Sequence, residues 1–132
     1  MEKRFELNAS SEVLSPFRKE LRQILNDAGW EKKTVEEVLL AADEALTNVI
    51  RHAYQGTAGK IGVLVQASPE KIEIVLEDHG RKFDPTQVPS PELPREKPGG
   101  LGVHFIRTIM DQMIYDDHDP KMNRLRLIKH KR

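Results

Sequence analysis

The 132-residue sequence predicts an α/β protein of the α+β sandwich type, a mixed, largely antiparallel sheet with its helices on one face. Two observations predict it. The first is the order of the patterned runs: one strand-like, two helix-like, two strand-like, one helix-like and two strand-like. The second is the link Ser68-Pro69-Glu70, which is so short that the runs it joins must form an antiparallel hairpin.

Arg4-Phe5-Glu6-Leu7 alternates polar and apolar side chains, as a half-buried strand does. Ser10 and Ser11 offer N-cap oxygens to a helix carrying Val13, Leu14, Phe17, Leu21, Ile24 and Leu25 at intervals of three and four. That helix ends near Asp27-Ala28-Gly29, where glycine permits a left-handed cap. Thr34 with Glu37 three residues later makes a capping box. After it, Val35, Val38, Leu39, Ala42, Ala45, Leu46, Val49 and Ala53 form one apolar face running to about Tyr54, with Gly56 as the stop. Strands are expected over Lys60–Ala67 and Lys71–Glu77.

From His79 to Gly100 the chain carries five prolines and no usable periodicity, too long for an idle connection, so a lid is expected over 79–100. Leu101 to about Met113 reads as a helix entered from a glycine cluster, and strands around Met113–Tyr115 and Asn123–Lys129 close the chain. No repeat or second composition appears, so residues 1–132 are expected to form one domain.

The 21 Lys and Arg balance 21 Asp and Glu, so no global field draws nucleic acid or a membrane. The C-terminal cations Lys121, Arg124, Arg126, Lys129, Lys131 and Arg132 are expected to keep a solvated strand edge soluble. With no cysteine, disulfides and thiolate metal sites are excluded. No apolar stretch suits a signal peptide or a membrane span, and a cytoplasmic protein is expected.

Three segments carry chemistry. Glu44 and Asn48, four apart on the long helix, share one side, where a carboxylate and an amide oxygen suit a general base and a magnesium ligand. Alone, such a pair is more often simply a water-facing helix surface. In Val75-Leu-Glu-Asp78-His-Gly80, an apolar strand ends in a carboxylate that can accept a hydrogen bond from an exocyclic amine, with Gly80 giving a flat ligand room. Asp-x-Gly is also a common turn. In Gly99-Gly100-Leu101-Gly102, glycines lead straight into a helix, which suits a phosphate cradle or a hinge.

The order of the three resembles the Bergerat, or GHKL, ATPases. Glu44-Ala-Leu-Thr-Asn48-Val-Ile-Arg51-His52-Ala-Tyr54 looks like the N box. Asp78-His-Gly80-Arg-Lys-Phe83-Asp84 looks like the first glycine box, and Gly99-Gly100-Leu-Gly102 like the second. Within that superfamily the boxes are most similar to the anti-sigma-factor serine kinases. The resemblance implies that Asn48 binds magnesium bridging the ATP phosphates and that Glu44 is the general base. It also implies that Asp78 binds the adenine amino group beside Gly80, that Gly100, Leu101 and Gly102 meet the phosphates, and that Arg51 contacts phosphate or carboxylate. His52, Phe83 and Asp84 are read as structural. Lys82 departs from the glycine that many superfamily members carry there, as the anti-sigma branch often does.

The implied activity is phosphorylation of a serine on a STAS-domain anti-anti-sigma protein, with a sigma factor as a second partner and pairing of two copies through their sheets. Two alternatives stand beside it. One is a nucleotide-responsive binding module with little or no kinase activity, and the other a histidine-kinase-like catalytic domain acting on another chain.

Overall fold

The computed structural model describes residues 1–89 and 101–132. In chain order its elements are β1 (Glu2–Asn8), α1 (Leu14–Asp27), α2 (Lys32–Asn48), β2 (Lys60–Ala67), β3 (Lys71–Asp78), α3 (Leu101–Ile109), β4 (Gln112–Asp116) and β5 (Asn123–His130). Short helical turns precede α1, follow α2 and follow β3. The five strands form one sheet in the order β1-β2-β3-β5-β4. Each of the four pairings is antiparallel, so the largely antiparallel sheet expected from the sequence is entirely so among the described residues.

Alternation builds the core. One face of the sheet presents Ile61, Val63, Val65, Ile72, Ile74, Leu76, Leu125 and Leu127, all buried, against Leu21, Leu25, Val38, Leu46 and Ile106 of the helices. Register then decides what ends this face. Val63 pairs with Leu76 and Leu76 with Leu125, so one row further on Ile61, Asp78 and Asn123 lie side by side. Two polar residues thus finish apolar rows, in phase with the core.

Ser10 caps the turn before α1, and Gly29 closes that helix at φ 92°, as expected. Several expectations are corrected. The Thr34–Glu37 capping box does not form: α2 starts at Lys32, a turn earlier, with Glu31 as N-cap and no side-chain cap. The Gly29 reversal is followed at once by Trp30, whose Nε1 donates to the Ser68 carbonyl at 2.8 Å, and the chain re-enters helix directly from there. Regular α-helix ends at Asn48, and Val49–Ala53 is a π-helical turn. That turn is tied down at its end. The Tyr54 hydroxyl donates to Lys60 O and accepts from His79 N, while Ala53 O accepts from Arg81 N. The third helix stops at Ile109, not Met113, because Asp111 N already donates to Ile128 O in the sheet. β5 is an interior strand, so its cations do not guard an edge. Arg126 pairs with Glu73, and Arg124 with Glu77 and Asp116, across the outer face. Among the described residues no helix is long and apolar enough to cross a membrane.

Candidate functional site

A cleft of about 320 Å³, counting its solvent-open mouth, lies between α2, the ends of β3 and β5, and the segment after β3. Asn48, Ala53, Leu76, Asp78, Phe83 and Asn123 are among its lining residues. Ligand sites are mostly lined by apolar side chains with a few placed polar groups, and this lining has that composition.

Asp78 is 2% exposed. Its Oδ1 accepts from Gly80 N and from Asn123 Nδ2, each at 2.9 Å. Its Oδ2 has no hydrogen-bond partner among the described residues. Burial pushes the Asp78 carboxyl up, against the opposing pull of the Asn123 and Gly80 bonds and of His79 and Lys82. A Cβ at Gly80 would lie 2.6 Å from the backbone C and O of Ala53, so the missing side chain makes room for the end of the π turn.

Asn48 lines the cleft from α2, and Glu44 lies one turn before it on that helix. Asn48 Nδ2 is buried with no hydrogen-bond partner, the one such side-chain atom among the described residues. A buried unpaired amide is costly, and an absent ligand or ion commonly explains one. Gly102 lies directly on Glu44: a Cβ at 102 would press on the Glu44 Oε2 and sit 3.3 Å from its Cδ. The structure therefore brings the first and third sequence segments together at the start of α3, and the second onto the neighbouring wall. Gly100 and the side chain of Leu101 lie outside the described residues, as does the 90–100 part of the expected lid.

Arg51 is exposed, with its guanidinium in solvent. His52 stacks on Phe83 at 4.7 Å between ring centroids, and burial followed by the Arg51 and Arg81 charges holds its pKa below the usual histidine range. Asp84 caps the turn Pro85–Gln87 through Thr86 N. These last two roles are structural, as read from the sequence.

Sequence reasoning missed Asn123 and Tyr115. Asn123 is 5% exposed, and Tyr115 donates its hydroxyl to Asn123 Oδ1 at 2.5 Å. The available signal was phase: Asn123 stands at the position that Leu125 and Leu127 repeat, where a polar residue is out of character.

A five-stranded antiparallel sheet with its helices on one face and a cleft between α2 and the strand ends has the architecture of the Bergerat class of nucleotide-binding fold. The profile of the histidine kinase-like ATPase domain matches residues 7–129. The serine-protein kinase RsbW of Bacillus cereus (strain AH187) is 30% identical over 119 residues, 83% of this chain and 74% of that protein. RsbW of Staphylococcus aureus (strain JH9) is 30% identical over 132 residues, 92% of this chain and 83% of that protein. The solved RsbU and RsbW domains of a Mycobacterium tuberculosis protein match with a TM-score of 0.70 at 16% identity, over 98% of this chain and 32% of that longer one. The histidine kinase domain of a blue-light activated kinase from Erythrobacter litoralis matches at 0.56 and 17% identity, over 90% of this chain and 59% of that one. The chain belongs to the histidine kinase-like ATPase domain family, in the anti-sigma-factor kinase branch of the GHKL proteins.

Proposed function

We propose that the protein is an ATP-dependent protein-serine kinase that phosphorylates a STAS-type anti-anti-sigma protein and also binds a sigma factor. One observation carries the reading: a single cleft is lined by a buried carboxylate with one free acceptor oxygen and by an unpaired buried amide, and one helical turn before that amide the Glu44 carboxylate lies against Gly102. The 30% identity to serine-protein kinases called RsbW supports the reaction type.

In this reading Asp78 Oδ2 accepts a hydrogen bond from the adenine amino group. Asn48 holds magnesium through its amide oxygen. Bound there, the ion supplies charge neutralisation at the phosphates. Among the described residues no cluster of three His, Cys, Asp or Glu side chains is placed to hold a metal, so Asn48 would hold the ion together with groups the ligand and solvent would supply. The amides opening α3 and the positive end of its dipole face the phosphates, with Gly102 keeping that approach clear of side chains. Glu44 takes the proton from the incoming serine hydroxyl. Arg51 contacts phosphate or carboxylate from the rim.

Incubation with labelled ATP and a cognate STAS protein should label one serine of that partner. Intact nucleotide binding without transfer to any neighbouring STAS protein would remove the kinase and leave a nucleotide-responsive switch.

A further inference from the structure

Asn123 uses every hydrogen-bonding group it has. Oδ1 accepts from Phe83 N at 3.0 Å and from the Tyr115 hydroxyl at 2.5 Å, while Nδ2 donates to Asp78 Oδ1 and to Arg81 O, both at 2.9 Å. A backbone N–H only donates, so Phe83 N settles which end of the amide is oxygen. The nitrogen is thereby aimed at Asp78. With Gly80 N on the same atom, Oδ1 is occupied and Oδ2 is left as the acceptor for a ligand.

We propose that Asn123 is a positioning and specificity residue: it holds Asp78 as an acceptor with one free oxygen, so that the cleft takes a 6-amino purine nucleotide and refuses a 6-oxo one. This rests on the nucleotide reading above. A carboxylate repels a 6-oxo group, whereas a protonated carboxyl turns a donor toward it. The Asn123 bond favours the charged form and opposes burial, which favours the neutral one.

The isosteric Asn123→Asp tests this, since it keeps the acceptor for Phe83 N and replaces the donor by a second carboxylate. Two carboxylates this close share a proton. The groups around the pair are His79, Arg81 and Lys82 after β3, Tyr115 on β4, Asn48 on α2, and His52 stacked on Phe83. Magnesium ADP and magnesium IDP are titrated calorimetrically into wild type and variant at about pH 5.5 and about pH 8. Affinities are read as variant-to-wild-type ratios, so that titration of the ligand and of His52 cancels.

Wild type should prefer ADP. The variant should bind ADP roughly tenfold more weakly at the higher pH and recover both affinity and preference over IDP at the lower, where a proton between the two carboxyls restores the donor to Asp78. A ratio independent of pH overturns the proposal. Wild type that binds neither nucleotide overturns the nucleotide reading instead. If the variant melts abnormally without ligand, NMR of wild type decides. The Asn123 side-chain amide protons should exchange slowly and shift with ADP but not with IDP, and free exchange with water would overturn the proposal.

Discussion

The two ends of the cleft are built on opposite terms. At the base end, Asp78, Asn123, Tyr115 and the loop backbone bond to one another until one carboxylate oxygen is left over. At the other end Asn48 has a buried donor without a partner, Glu44 is half-buried against Gly102, and Arg51 is exposed. The base end is an extension of the core, held whether or not anything is bound. In the proposed reading the other end is completed by the ligand, so recognition would be a property of the fold and chemistry a property of the filled site.

The sharpest way to separate the ends is Glu44→Gln. Phosphate transfer should fall by about 10²–10⁴-fold with nucleotide affinity little changed, measured by transfer rate beside direct titration. A matching loss of affinity would mean Glu44 belongs to binding.

Asn48→Ala comes next. It removes the orphaned donor, so stability without ligand should stay within about 1 kcal/mol of wild type. The magnesium-dependent stabilisation, about 2.7 kcal/mol with nucleotide at 100 times its dissociation constant, should vanish from thermal melts. Retention of that shift would place the ion elsewhere.

The two glycines extend the comparison. Gly80→Ala drives a methyl group into the Ala53 backbone and should cost about 1–3 kcal/mol in denaturant melts. Gly102→Ala meets the Glu44 side chain, most closely at its carboxylate end. Stability should change by less than about 1 kcal/mol, with helix propensity gained, while transfer drops roughly tenfold as the carboxylate is displaced. Equal destabilisation by both would erase the distinction drawn between the ends.

The smallest effect concerns pH. Burial raises the Asp78 carboxyl in the folded chain, so its contribution to stability is full in acid, below the usual carboxylate range, and is lost as pH rises through the raised folded value. Unliganded Asp78→Asn should therefore be at least as stable as wild type at neutral pH, an advantage that shrinks toward acid. Denaturant melts across that range check it, and a variant less stable at neutral pH contradicts it.

Much of this was legible in the chain. Periodicity located all three helices and the strands, because 3.6-residue and two-residue repeats are local consequences of having one buried face. Asp78 was found because it interrupts an apolar run, and Glu44 and Asn48 because four residues make one turn. Helix ends were less legible. The Thr34–Glu37 spacing suggested a cap that the fold overrode, since Trp30 and Gly29 had already turned the chain into helix. Ile109 ends α3 because Asp111 finds a sheet partner, which no local pattern announces.

By itself, then, the sequence determined the order of elements and their buried faces, and it singled out the three segments to which chemistry is assigned in the proposed reading. Tertiary structure alone decided that Asn123 stands beside Asp78, that Gly102 lies on Glu44, and that the absent side chain of Gly80 serves Ala53. Those contacts join residues tens of positions apart through strand register and helix packing. Local propensity encodes a residue's own conformation, whereas its partner is settled only when distant apolar faces are buried together.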